Sequence, residues 1–134
     1  MHTIVRRLTF CYGHRLLDYE GKCAHPHGHN AVVEVEVSSD RLDPRGMVCD
    51  FGDIKGRLMA FIEAEFDHRM VLRKDDPLVG ALESLGEQPL KLEVNPTAEN
   101  LARLIFEKAR ALLLPVVAVR FWETENCHAE YSEP

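Results

Sequence analysis

The run Cys23-Ala24-His25-Pro26-His27-Gly28-His29 is the densest cluster of metal-binding and nucleophilic side chains in the sequence. Residues i and i+2 of a strand point to the same side. A strand starting here therefore presents the imidazoles of His27 and His29 together, with Gly28 leaving the backbone between them unobstructed. His14 lies across a loop, at the end of a preceding stretch of strand character, and supplies a third nitrogen if the two strands are neighbours. Three neutral imidazoles with one position left open make a catalytic zinc site rather than a closed structural one. Loop histidines that bind metal fortuitously are the plain alternative, and an H-x-H pair alone does not beat it. A third histidine with a cysteine close by does. His25 stands in the same i, i+2 relation to His27, so spacing leaves open whether it competes as a ligand. Other divalent ions also suit such a set.

Other side chains admit a chemical and a bland reading. Cys23 is a fourth ligand that closes the site, a thiolate activated by the neighbouring imidazoles and metal, or an inert buried thiol. Asp67-His68 places a carboxylate beside an imidazole, the makings of an oriented acid/base pair. Sequence neighbours rarely face each other in regular structure, so the pair needs an irregular backbone, and taken alone it reads as solvated. Glu123, at the end of a strand, is solvated or anchors an aminopyrimidinone edge, since a carboxylate accepts from a ring N–H and an exocyclic NH2 together. Thr97 and Glu99 have the types and positions of a helix cap and an acidic first turn.

The elements that must hold these groups follow from periodicity. Residues 2–10 read as a strand with Ile4, Leu8 and Phe10 on one face. Residues 29–38 alternate Ala31, Val33, Val35 and Val37 against polar neighbours, the pattern of a half-buried antiparallel strand. Asp50 caps a helix that carries Ile54, Leu58, Phe61 and Ile62 and ends near Phe66. Residues 67–89 carry no clear period, and the alternation Leu90, Leu92, Val94 is short. Asn95-Pro96-Thr97-Ala98-Glu99 opens a second helix, with Leu101, Leu104, Ile105 and Leu112 on its apolar face and Pro115 as its stop. Residues 116–124 and 127–132 read as two more strands. The expectation is one α+β domain over residues 1–134, with a four-stranded antiparallel sheet and two helices on one face. Its sheet edges need cover, which points to pairing between subunits.

The bulk properties narrow the class. With 134 residues, 46% hydrophobic and 28% charged, the chain can bury a core of its own. A net charge of -6 argues against a nucleic-acid partner. No apolar run is long enough to span a bilayer, and Met1–Arg7 lacks the apolar core of a signal peptide. A cytoplasmic protein is expected. Of the four cysteines, Cys11, Cys23, Cys49 and Cys127, no two form a C-x-x-C pair, so neither a zinc ribbon nor a disulfide framework is indicated.

In order along the chain, Phe10-x-x-x-His14, Cys23-x-x-x-His27-Gly28-His29, Val48-x-Asp50-Phe51-x-x-Ile54-Lys55, Asp67-His68, Asn95-Pro96-Thr97-x-Glu99 and Glu123-Thr124 resemble the 6-pyruvoyltetrahydropterin and 6-carboxytetrahydropterin synthase family. The resemblance runs from about Phe10 to Tyr131. It implies a T-fold, β-β-α-α-β-β, whose subunits join their sheets into a barrel, usually a hexamer of two trimers with active sites between subunits. It implies zinc on His14, His27 and His29, and 7,8-dihydroneopterin triphosphate as substrate. Cys23 matches the family's proton-abstracting cysteine, and Asp67 and His68 match its proton relay, supplied by a neighbouring subunit. Glu123 matches the pterin anchor, and Thr97 and Glu99 lie in the matching pterin-pocket segment. The three-residue spacer between Cys23 and His27 resembles the queuosine-pathway branch. That branch makes 6-carboxytetrahydropterin with release of acetaldehyde and triphosphate; the 6-pyruvoyl product of the animal branch is the alternative. Cys11-Tyr12-Gly13 departs from the small residues usual before the first histidine, and Tyr12 needs room near the metal. Arg69–Arg73 and the turn Thr124-Glu125-Asn126-Cys127 also depart. They motivate a second hypothesis, an enzyme acting on another reduced pterin. A third is a non-catalytic zinc protein closed by Cys23, which leaves Asp67, His68 and Glu123 without a role.

Overall fold

A computed structural model describes residues Met1–Pro134. Its elements are β1 (His2–His14), β2 (His27–Ser39), α1 (Phe51–Glu65), β3 (Met70–Arg73), α2 (Pro77–Ser84), β4 (Leu90–Leu92), α3 (Ala98–Ala111), β5 (Val116–Thr124) and β6 (Cys127–Ser132). A single 3-10 turn at Lys22–Ala24 lies in the long connection between β1 and β2. The strands form one sheet in the order β4-β3-β1-β2-β5-β6. β1, β2, β5 and β6 pair antiparallel, as the alternation predicts.

Two features depart from the four-strand, two-helix expectation. The β3 and β4 strands add to the β1 edge in parallel register, and α2 joins them. These elements have four, three and eight residues, too short for a period to stand out from background. The signal that was there is local: the Asp76 carboxylate accepts from the Leu78 N–H and Pro77 occupies the first turn, an N-terminal cap with proline just inside it. The expected strand over 2–10 in fact runs to His14, because the β2 ladder continues through Cys11–Asn30 to His14–His27, and β3 adds a second partner at Gly13 and His14.

One face of the sheet carries the core. Leu8, Phe10 and Tyr12 of β1, the alternating Ala31–Val37 set of β2, and Val119 and Phe121 of β5 pack on Ile54, Leu58 and Ile62 of α1 and on Leu101, Ala102, Ile105, Phe106 and Ala109 of α3. The Asp50 carboxylate caps α1 through the Gly52 N–H, and Thr97 Oγ1 caps α3 through the Asn100 N–H. α3 stops at Ala111, short of Pro115, by a left-handed turn at Leu113. The opposite face is polar: Arg120 pairs with Glu36 and Glu130, and the Trp122 indole donates to Glu34.

Candidate active site

The β1–β2 register sets Tyr12 opposite His29, Gly13 opposite Gly28 and His14 opposite His27. His14, His27 and His29 share the parity of the core-facing residues of their strands, and their rings meet at the end of the core. Ring centroids lie 4.5 Å (His14–His27), 5.1 Å (His14–His29) and 5.0 Å (His27–His29) apart. One nitrogen from each ring lies within 4.8 Å of the others. Gly13 leaves space here: a Cβ on it meets Met70 Sδ at 2.4 Å and the His27 carbonyl at 3.3 Å, so a larger residue would push the Met70 thioether aside where β3 closes against β1 beside the histidines.

Hydrogen bonds fix which nitrogen faces inward. His14 Nδ1 lies 2.7 Å from the Pro96 carbonyl and His27 Nδ1 lies 2.7 Å from the His25 carbonyl. A carbonyl only accepts, so both Nδ1 atoms carry the proton and both Nε2 atoms present a lone pair. His14 is 2% exposed. Burial pushes its pKa down to about 4; the neighbouring His27 and His29 push the same way, against the Pro96 hydrogen bond. Burial also lowers that of His29, opposed by Glu123. His14 is therefore neutral at ordinary pH, the state in which imidazole ligates a cation. His14 Nε2, His29 Nε2 and the Tyr12 hydroxyl are the three buried side-chain polar atoms of the protein without a hydrogen-bond partner. They belong to side chains in mutual contact, with Tyr12 to His14 and His29 centroids at 5.0 and 5.7 Å. Unpartnered His14 and His29 nitrogens converging beside the His27 ring are what a divalent cation would satisfy, so the residues fit a metal.

The other anticipated residues divide. Glu123 Oε2 lies 3.6 Å from His29 Nε2. An irregularity in the β5–β6 ladder falls between Trp122 and Thr124, on Glu123 itself. The carboxylate thus sits beside the triad, in place to accept from a ligand there. His25 is exposed, and what it gives the cluster is the carbonyl that orients His27. Cys23, half-buried in the 3-10 turn, is tied to the end of β1 by the Leu16 N–H to Cys23 carbonyl bond of 2.8 Å. Its sulfur is not among the ligand atoms that lie within 4.8 Å of one another. Thr97 caps α3 and Glu99 is exposed in its first turn, so in the single chain both do what cap residues do.

Asp67 and His68 do face each other, with Asp67 Oδ1 2.9 Å from His68 Nδ1. The irregular backbone this requires is a left-handed His68, φ 60°. It is held by two bonds to β1: the His68 N–H donates to the Cys11 carbonyl at 2.7 Å and the Cys11 N–H to Asp67 Oδ1 at 3.1 Å. Although partial burial acts against it, the Cys11 N–H and the His68 imidazole hold the Asp67 carboxyl below the usual carboxylate range. The His68 ring is 77% exposed. A groove of about 590 Å³ has His27, His29 and His68 on its walls.

Three supporting contacts were not anticipated. The Pro96 carbonyl orients His14. The Asn95 side chain accepts from the Leu17 N–H at 3.0 Å and donates to its carbonyl at 2.8 Å, joining the β1 end to the α3 cap. Arg15, next to His14, pairs with the buried Asp76. The Asn95-Pro96 dipeptide was visible as a helix start, but a backbone carbonyl has no signature in side-chain type.

Residues 3–134 match the family model described as 6-pyruvoyl tetrahydropterin synthase. A Rickettsia typhi protein named 6-carboxy-5,6,7,8-tetrahydropterin synthase is 37% identical over 132 residues, covering 93% of this chain and 96% of its own length. Among solved structures, an uncharacterized Wolinella succinogenes protein superposes with a TM-score of 0.81 at 27% identity over 99% of this chain and 98% of its own. The Caenorhabditis elegans 6-pyruvoyl tetrahydropterin synthase does so at 0.72 and 25% identity, over 99% and 96%. With the matching model spanning nearly the whole sequence, this chain belongs to the 6-pyruvoyl tetrahydropterin synthase family.

Proposed function

We propose that the chain is a 6-carboxy-5,6,7,8-tetrahydropterin synthase, a lyase that converts 7,8-dihydroneopterin triphosphate to the 6-carboxy product with release of acetaldehyde and triphosphate, as in the queuosine pathway. The observation that carries this reading is the set of inward, unpartnered imidazole nitrogens beside the Glu123 carboxylate. The name borne by the Rickettsia typhi relative supports the choice of product.

His14, His27 and His29 hold zinc. Bound there, the ion supplies Lewis acidity toward oxygen atoms of the substrate side chain. Glu123 accepts hydrogen bonds from the N–H and NH2 groups of the pterin edge and so fixes the ring's orientation. Cys23, as thiolate, takes a proton from the substrate side chain. His68, held in one tautomer by Asp67, carries protons between substrate and solvent, reaching the site from a neighbouring subunit. Thr97 and Glu99 line the pterin pocket at the start of α3. The 1–134 chain acts as one domain in a homohexamer of two trimers, joined through the sheet edges that β4 and β6 leave open. No helix is long and apolar enough to cross a membrane, and the enzyme works in the cytoplasm on a small molecule, without nucleic acid.

The test is incubation of zinc-loaded protein with 7,8-dihydroneopterin triphosphate, with products identified by mass spectrometry. The 6-carboxy product and acetaldehyde are expected, and both should be lost in Cys23→Ala. A 6-pyruvoyl product moves the chain to the other branch. No turnover with zinc bound refutes the assignment.

A further inference from the structure

We propose that Tyr12 is a specificity-determining residue whose hydroxyl donates a hydrogen bond to the oxygen atom filling the position left open by His14, His27 and His29, so that the site favours oxygen ligands. The inference rests on the proposed reading of the triad as a metal site and adds to it a group from outside the ligand set. Small residues are usual at this position in the family, so the hydroxyl is particular to this chain.

The strand register puts Tyr12 at the site. It precedes His14 by two residues on β1 and stands opposite His29 of β2. Its side chain therefore leaves the strand on the face that carries the imidazoles. Tyr12 is 3% exposed. Its ring is surrounded by those of Phe10, Phe66 and Phe121, with centroids 6.0, 5.6 and 5.5 Å away, and by His14 and His29 at 5.0 and 5.7 Å.

No group of the chain satisfies the hydroxyl. The three phenylalanine rings carry no acceptor atom. His14 Nε2 and His29 Nε2 do have lone pairs, yet neither bonds to the hydroxyl, and both are unpartnered themselves. The Glu123 carboxylate beside His29 does not bond to it either. A buried hydroxyl left without a partner is costly, so the acceptor has to arrive with the occupant of the site. A cation takes the imidazole lone pairs and has none to offer a donor. An oxygen ligand beside that cation keeps a lone pair and accepts from the phenol, which is protonated at neutral pH. A nitrogen ligand with no second lone pair cannot. The hydroxyl thus discriminates by the chemistry of the ligand atom, as a site built to hydrogen-bond its substrate does.

The test compares two small ligands on the cobalt(II)-loaded full-length protein, followed by the visible absorption of the ion. Acetate binds through oxygen and keeps lone pairs free to accept. Imidazole binds through one nitrogen, and its other nitrogen is an N–H donor. Tyr12→Phe keeps the ring among its phenylalanine neighbours and removes the oxygen alone. Both proteins should take up cobalt with the same stoichiometry. Acetate should bind about tenfold more weakly to Tyr12→Phe, the loss expected of one hydrogen bond to a charged acceptor, while imidazole binds both proteins alike. A purely structural effect of the substitution would weaken the two ligands in parallel. Equal acetate affinity in the two proteins, or parallel losses for acetate and imidazole, overturns the inference and leaves the metal reading standing. Failure of the wild type to take up cobalt refutes the metal reading and the inference with it. These readouts report ligation and not turnover, so neither failure is the same as failure of the pterin assignment.

Discussion

Lowering the pH should destabilise the metal-free protein through His14 in particular. Its imidazole titrates near 6.5 in an unfolded chain and at about 4 when folded. Between those values the unfolded chain binds a proton that the folded chain refuses. Stability is therefore complete above pH 6.5 and falls as the pH approaches 4. The difference of about 2.5 units, at 1.36 kcal/mol per unit, amounts to roughly 3 kcal/mol, a large share of the stability of a domain this size. The assay is urea unfolding of chelator-treated protein at pH 7 and pH 4, for the wild type and for His14→Gln, whose amide can still donate to the Pro96 carbonyl. Asp67 and Asp76 have lowered values as well, so their losses begin as the pH enters the ordinary carboxylate range, where the unfolded chain takes up the protons, and these losses cancel between the two proteins. The wild type should lose about 3 kcal/mol more than the variant over this interval. A difference under about 1 kcal/mol would mean that His14 is not held neutral by burial, and the argument for a preformed ligand would fail.

Tyr12→Phe removes a buried hydroxyl with no partner and should stabilise the metal-free protein by about 1 kcal/mol in urea unfolding; a loss of stability would show that the hydroxyl is bonded. Gly13→Ala sets a methyl group 2.4 Å from Met70 Sδ and should cost about 2 kcal/mol, with part recovered when Met70→Ala is added in a double-mutant cycle. Arg15→Ala leaves the Asp76 carboxylate, 3% exposed, without its cation. It should cost about 2 kcal/mol, below the figure for a fully buried pair because Arg15 keeps some solvent contact. Chelation of the metal-loaded protein should lower its melting temperature, and His29→Ala should abolish that shift by removing a ligand of the triad.

The parts of the molecule legible in the sequence were those with a long period or a strong cap. β2 declared itself through Ala31–Val37, α1 through Asp50 and its apolar stripe, and α3 through Thr97 and its own. The two-residue spacing of His27 and His29 was legible for the same reason, since it continues the β2 alternation. The segment 67–89 was not, because β3 is held in the sheet by neighbours distant in sequence and not by a pattern of its own, while β4 showed only as the short alternation of Leu90 and Leu92. The Asp67–His68 pair shows a different limit. Adjacent residues can cooperate only through a left-handed backbone at a non-glycine position, and the bonds that hold it come from Cys11, more than fifty residues away. Tyr12 was flagged for its size. The structure seats its ring among Phe10, Phe66 and Phe121, so it is accommodated as core while its hydroxyl stays orphaned.

The segment 95–97 has two attachments. It grips the end of β1 through Asn95 and orients His14 through the Pro96 carbonyl, while Asn100 on the first turn of α3 donates back to the Asn95 carbonyl at 2.8 Å. The His14 ring and the α3 cap are thus braced by one short stretch of chain. Substitutions at Asn95 and at His14 therefore act on a shared support, and their effects on stability should be non-additive, the signature of a common scaffold and not of two independent anchors.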